Sequence, residues 1–89
     1  MNDLQHIDLD FKLLLVFQVM YRTRKVVEVG EQLNVSQPTV SRSISRLRSH
    51  FDDPLFVRTQ HGMEPTPCAI EIAPIIDEML GLAPYHVVF

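Results

Sequence analysis

Between residues 11 and 21 the chain is apolar at almost every position: Phe11, Leu13, Leu14, Leu15, Val16, Phe17, Val19 and Met20. On a helix these side chains cover nearly the whole circumference, so the segment is expected to be buried on more than one side. Asp8 is the expected N-cap, and the helix should run to about Tyr21. Arg22-Thr23-Arg24-Lys25 breaks the pattern as a basic turn. A short second helix is expected over Val26 to Leu33, with Asn34 as a left-handed stop. From Ser36 the pattern becomes one-sided. Val40, Ile44, Leu47 and Phe51 fall on one helical stripe. Pro38 and Arg42 lie opposite, flanked by Thr39 and Arg46 on one side and by Ser41 and Ser45 on the other. Ser36 suits an N-cap, and Pro38 sits in the first turn, where a missing N–H costs nothing. The gap of about three residues between the second and third helices is that of a helix-turn-helix.

Asp52-Asp53-Pro54 should end the third helix. Leu55 to Thr59 reads as a short strand, Gln60-His61-Gly62 as a turn and Met63-Glu64-Pro65 as the return strand. Thr66-Pro67 is a second cap-plus-proline start signal for a last helix over Cys68 to Leu80, with Gly81 at its end and Pro84 beyond. Pro74 removes the bond to the Ile70 carbonyl and is expected to kink that helix. Ile72, Ile75, Ile76, Met79, Leu80 and Leu82 span about half its circumference, wider than one packing contact needs. A helix from another chain would cover the rest. The expected fold is therefore mainly α: a winged helix-turn-helix of three helices and a two-stranded wing, followed by a long linker helix. The corresponding division is residues 1–65 for the winged domain, 66–83 for the linker helix and 84–89 for a tail.

Charge sharpens the picture. The 89 residues carry a formal net charge of −3. Residues 22–61, however, hold seven basic side chains against four acidic and are net +3. Residues 1–21 are net −2 and residues 62–89 net −4. A basic middle between acidic ends suits a local phosphate-binding face better than the total suggests. No carboxylate interrupts Ser36 to His50. A chain this short also buries a modest fraction of its surface, and a partner copy would add to it.

The exposed edge of the third helix carries side chains suited to a DNA groove. Gln37 can pair with adenine edges, Arg42 with guanine, and Pro38 or Thr39 can touch a thymine methyl. Ser41, Ser45 and Arg46 can hold phosphates, as can Arg58 in the wing, with His61 at the wing turn. Arg22, Arg24 and Lys25 are equally readable as a phosphate clamp or as a solvated basic turn. The single cysteine, Cys68, permits no internal disulfide and fits a reducing, cytoplasmic setting. Its place in a first helical turn raises a redox switch as the sharper reading and an inert small side chain as the plainer one. His6, His50, His61 and His86 lack zinc-ligand spacing, and no nucleophile–base arrangement or glycine-rich phosphate loop is visible. No metal, cofactor, catalytic residue or enzyme activity is expected. No apolar run is long enough to span a membrane.

The ordered text Leu33-Asn34-Val35-Ser36-Gln37-Pro38-Thr39-Val40-Ser41, then Ile44 and Leu47, then Asp53-Pro54-Leu55-Phe56-Val57-Arg58-Thr59, Gly62-Met63 and Pro65-Thr66-Pro67, resembles the N-terminal DNA-binding domain of LysR-type transcriptional regulators. The wing text and Pro74 resemble the nodulation-regulator-like branch. The resemblance spans roughly Leu9 to Leu82. It implies sequence-specific binding of promoter DNA by a bacterial cytoplasmic regulator. The recognition helix over residues 36–50 would enter the major groove, and the wing over 55–65 would lie on backbone and minor groove. It also implies a homodimer on an inverted-repeat operator. The contact would be made by Ile72, Ile75, Ile76, Met79 and Leu80 of the linker helix with Phe17 of the first helix.

Four departures matter. Val29-Gly30 stands where the family has an alanine pair, and a glycine there is expected to cost about 1 kcal/mol against alanine. Val27 replaces a common serine or threonine, so a phosphate contact is expected to be missing. His61 replaces an arginine, which makes minor-groove attraction weaker or pH-dependent. The sequence ends at Phe89 without the family's effector-binding domain, so no inducer site is expected in it. The sequence is then read as either an excised domain or a naturally truncated regulator, and together with the surplus apolar helix surface this raises an alternative: a truncated interaction module that pairs with full-length relatives and antagonises them.

Overall fold

The computed structural model describes residues 10–81. The elements are α1 (Phe11–Thr23), α2 (Val26–Leu33), α3 (Gln37–Phe51), β1 (Phe56–Thr59), β2 (Gly62–Pro65) and α4 (Pro67–Gly81). This is the expected winged helix-turn-helix with a following helix. Asp8, Leu82 and Pro84 lie outside the described residues. Asp10 caps α1, its carboxylate accepting the Leu13 N–H at 2.9 Å. The helix runs to Thr23, further than its pattern suggested, and stops at Arg24 in the left-handed region (φ 64°). The Arg24 guanidinium donates to the Tyr21 carbonyl at 2.6 Å and sits over the Tyr21 ring, which supports that backbone.

Helix α1 is the central post. It packs against α2, α3 and α4. Its all-round apolarity is therefore used within one chain, and a partner surface is not needed to explain it. Leu13, Leu14, Val16, Phe17, Val19 and Met20 are buried, and of its apolar residues Phe11 alone is exposed. Phe17, expected at a dimer contact, is 1 % exposed. Its ring lies between Tyr21 (5.9 Å, stacked) and Phe56 (5.5 Å, tilted), so it anchors the wing to the body.

The turn between α2 and α3 is tight. Asn34 is left-handed (φ 58°) and bonds back to the Gly30 carbonyl, which also accepts the Val35 N–H at 2.9 Å. A Cβ on Gly30 would stand 2.8 Å from the Val35 carbonyl oxygen. Gly30 is thus fitted to the close approach of the turn, and its low helix propensity is offset by that packing. Ser36 caps α3 by accepting the Thr39 N–H, and Val40, Ile44 and Leu47 are buried with Phe51 packed beside them. Asp52 ends α3 in the left-handed region (φ 52°).

In the wing, Phe56 pairs with Pro65, Val57 with Glu64, Arg58 with Met63 and Thr59 with Gly62, antiparallel. The tip is two residues, Gln60 and His61, and Gly62 (φ 109°) opens β2 in a conformation side chains disfavour. The first strand starts one residue later than its pattern suggested, because Leu55 is left-handed (φ 63°) and so outside the ladder. Thr66 caps α4 by accepting the Ala69 N–H at 3.2 Å. That helix continues through Pro74 and is tied to α1 by a 2.9 Å bond from Gln18 to the Asp77 carboxylate. We expect Gly30→Val to lower unfolding free energy by about 1–3 kcal/mol, the cost of overpacking. A urea melt with an unchanged midpoint would contradict the close approach at Val35.

Candidate nucleic-acid interface

The apolar stripe of α3 faces α1 and α2, which leaves the opposite edge outward. Gln37, Pro38, Ser41, Arg42, Ser45 and Arg46 are exposed there, and Thr39 is half-buried. Thr39 has local work. Its hydroxyl meets Ser36 Oγ at 2.9 Å and accepts from Arg42 Nη2 at 3.3 Å. The chain Ser36–Thr39–Arg42 holds the guanidinium near the helix surface and reduces the rotamer freedom it would lose on binding.

The wing completes the face. Phe56 turns inward into the core, and Arg58, two residues on, shares its side of the hairpin. Arg58 lines a cleft of about 350 Å³ with Ser41, Ser45, Arg48, Val26, Ile44, Phe56 and Met63. It also borders a second cleft with Lys25, Val26 and Gln37, at the start of both α2 and α3. Thus Arg58 joins two groups of sequence-nominated side chains. His61 is exposed at the wing tip, where its ring nitrogen meets Gln60 Nε2 at 3.3 Å. The basic turn divides in two. Arg22 donates to the Gln32 side chain at 2.7 Å, away from the clefts, whereas Lys25 is exposed at the second cleft, which Arg24 also lines while its Nε is held by the Tyr21 carbonyl. The first turn of α2 has no side-chain cap and carries one carboxylate, Glu28, and its leading residues Val26 and Val27 line the second cleft with Lys25 and Arg58. Such an end favours an anion.

Two residues that matter to this face carried no clear mark in the sequence. Arg48 Nε donates to the Pro54 carbonyl at 2.8 Å and Nη2 to the Phe56 carbonyl at 3.0 Å. Asp53 accepts the Leu55 N–H at 2.8 Å and the Thr66 hydroxyl at 2.6 Å. An aspartate that bonds a backbone amide two residues on is an Asx turn, and Asp53-Pro54 is suited to it. That signal could have marked Asp53 as more than a helix breaker.

The residues nominated for pairing separate into two sets. Ile76 and Leu80 face the chain's own core, as Phe17 does, and give no surface to a partner. Ile75 (54 % exposed) and Met79 (45 %) are open to solvent, with Ile72 half-buried beside them. Cys68 is half-buried, and its thiol is held above the ordinary value, first by burial and then by the carboxylates of Asp53 and Glu71. This runs opposite to the activation a redox switch needs. Among the described residues no group of acidic, histidine and cysteine side chains could hold a metal ion. No described helix is long and apolar enough to cross a membrane.

Residues 11–69 match the family described as bacterial regulatory helix-turn-helix proteins, lysR family. The chain is 45% identical over 76 residues to the HTH-type transcriptional regulator PhcA of Ralstonia nicotianae, covering 85% of this chain and 22% of that protein. It is 47% identical to the HTH-type transcriptional activator NahR of Pseudomonas putida, over 84% of this chain and 25% of that one. It therefore spans about a quarter of the length of these relatives. A probable transcriptional regulator of Pseudomonas aeruginosa has a similar structure, with a TM-score of 0.77 at 38% identity over 86% of this chain and 25% of that chain. The CbnR DNA-binding domain, solved in a complex with DNA, shares the fold at a TM-score of 0.76 and 23% identity, covering 83% of this chain and 85% of that one.

Proposed function

The chain belongs to the lysR family of bacterial regulatory helix-turn-helix proteins, and from that membership we propose that it binds double-stranded promoter DNA sequence-specifically, as a transcriptional regulator and as a homodimer. The observation that carries the reading is the continuity of the face. The outward edge of α3, free of carboxylates, meets Arg58 of the wing across one cleft. A helix of about 10–12 Å diameter fits a major groove about 12 Å wide. With α3 in the groove, Gln37, Pro38 and Arg42 stand where base edges are. Ser41, Ser45, Arg46 and Arg58 would reach flanking phosphates, and His61 would lie toward the minor groove. The uncapped start of α2, with Lys25, suits one further phosphate.

Direct readout and phosphate binding are separable. Arg42→Ala is expected to weaken binding by about 1–3 kcal/mol against the duplex that the wild-type protein selects from a random pool. Arg58→Ala is expected to weaken all sequences alike and to flatten the dependence of log K on log salt by about 0.9. Titrations of labelled duplex over a salt series measure both, and selected-duplex binding unchanged by Arg42→Ala would refute the base-reading role.

Pairing is proposed through α4. Ile72, Ile75 and Met79 form a strip at helical spacing beside the buried stripe of Ala69, Ala73, Ile76 and Leu80. A second α4 laid along this strip would bury it and present two recognition helices to successive major grooves of an inverted repeat. Light scattering on the wild-type protein should give the dimer mass, and Ile75→Glu with Met79→Glu the monomer mass. A wild-type monomer would rule the pairing out.

A further inference from the structure

The segment that carries the chain from α3 into the wing is held in a costly conformation. Leu55 has φ 63° and is fully buried. The Phe56 N–H reaches back to the Pro54 carbonyl at 2.6 Å, which makes a γ-turn centred on a residue with positive φ. Turns of this hand are rare and strained. They persist where surrounding contacts over-determine the backbone. Three residues do so here, through four hydrogen bonds. The Asp53 carboxylate accepts the Leu55 N–H, the Leu55 carbonyl accepts the Thr66 N–H at 2.8 Å, and Arg48 holds the carbonyls on either side of Leu55 with two arms of one guanidinium.

Arg48 is the member of this set that comes from α3 itself. It lies on the edge of the helix next to Ser41 and Ser45, and its side chain forms part of the wall of the cleft that Arg58 closes. By composition it is one more cation for DNA. Its geometry points elsewhere, because two of its donors are committed to main-chain carbonyls 6 and 8 residues away. We infer that Arg48 is a positioning residue for DNA binding: it fixes the wing against the recognition helix, so that Arg58 stands across the cleft from Ser41 and Ser45 and one DNA phosphate is gripped from both sides. The inference rests on the DNA-binding reading above.

A sequence-independent contact can be followed on a labelled duplex of arbitrary sequence. Wild type, Arg48→Ala, Arg48→Lys, Arg58→Ala and the double variant R48A/R58A would be titrated with it over a salt series, each after circular dichroism confirms a folded population. Arg58→Ala should flatten the slope of log K against log salt by about 0.9, the loss of one neutralised phosphate. Arg48→Ala should flatten it by a similar amount. The double variant should be no flatter than Arg58→Ala alone, because the two act as one unit. Arg48→Lys should behave like Arg48→Ala, since an ammonium keeps the charge but cannot hold two carbonyls as a planar fork does. If Arg48→Ala does not fold, Arg48→Lys alone and combined with Arg58→Ala carries the same comparison.

Additive slope losses in the double variant would overturn the inference and make Arg48 a phosphate ligand. Recovery of the wild-type slope by Arg48→Lys, or a wild-type slope in Arg48→Ala, would also overturn it. Wild-type protein that shows no salt-dependent duplex binding at all would remove the DNA reading itself, and the positioning role with it.

Discussion

One carboxylate ties the parts of this protein together. Asp53 accepts a hydrogen bond from the Leu55 N–H and another from the Thr66 hydroxyl. The same hydroxyl oxygen caps α4 through the Ala69 N–H, and the Thr66 N–H is bonded to the Leu55 carbonyl. The end of the recognition helix, the base of the wing and the start of the last helix therefore share one short network. Hydrogen bonds to a charged group are worth about 1.5–3 kcal/mol each, more than neutral ones. That is the scale needed to hold a buried leucine at positive φ. Without such a network the wing would be a two-stranded hairpin, marginal in water by itself.

Hydrophobic packing supplies the other half of the restraint. Phe56 enters the core at the first position of the wing and meets Phe17 of the central helix. Aromatic pairs of this kind add about 0.5–1.5 kcal/mol beyond their buried area. The wing is thus fixed by polar bonds at its base and by an aromatic anchor one residue later, while Arg58 beyond the anchor remains available at the surface. Rigidity at the base and exposure further out are what a preformed binding face requires.

Much of this was legible in residue patterns. The stripe of Val40, Ile44 and Leu47, the Ser36 cap and the Asn34 stop all carry local signatures, and the structure places them as those signatures imply. The apolar run in α1 was legible as burial on several sides, but periodicity cannot say which neighbours do the burying. Three helices of the same chain pack on it, so Phe17 is a core residue and the apolar surface left exposed is narrower than the apolar count suggested. Leu55 looked like the first residue of a strand because nothing in its side chain announces a positive φ. Arg48 and Asp53 were missed for a related reason. Arg48 bonds only main-chain carbonyls of the turn, which carry no residue-type signal, and Asp53, despite its Asx-turn position before Pro54, looked like a helix breaker because its second partner, the Thr66 hydroxyl, lies 13 residues on. Gly30 read as a weak point of α2, and becomes an accommodation to the Val35 carbonyl once the turn is seen.

The central claim is that α3 and the wing form one DNA-binding surface. Amide chemical-shift mapping during titration with unlabelled duplex tests it most directly. Resonances from Gln37 to Arg46 and from Arg58 to Gly62 should shift together, along one binding curve with one midpoint. Shifts in α3 without the wing, or two groups with different midpoints, would contradict a single joined surface.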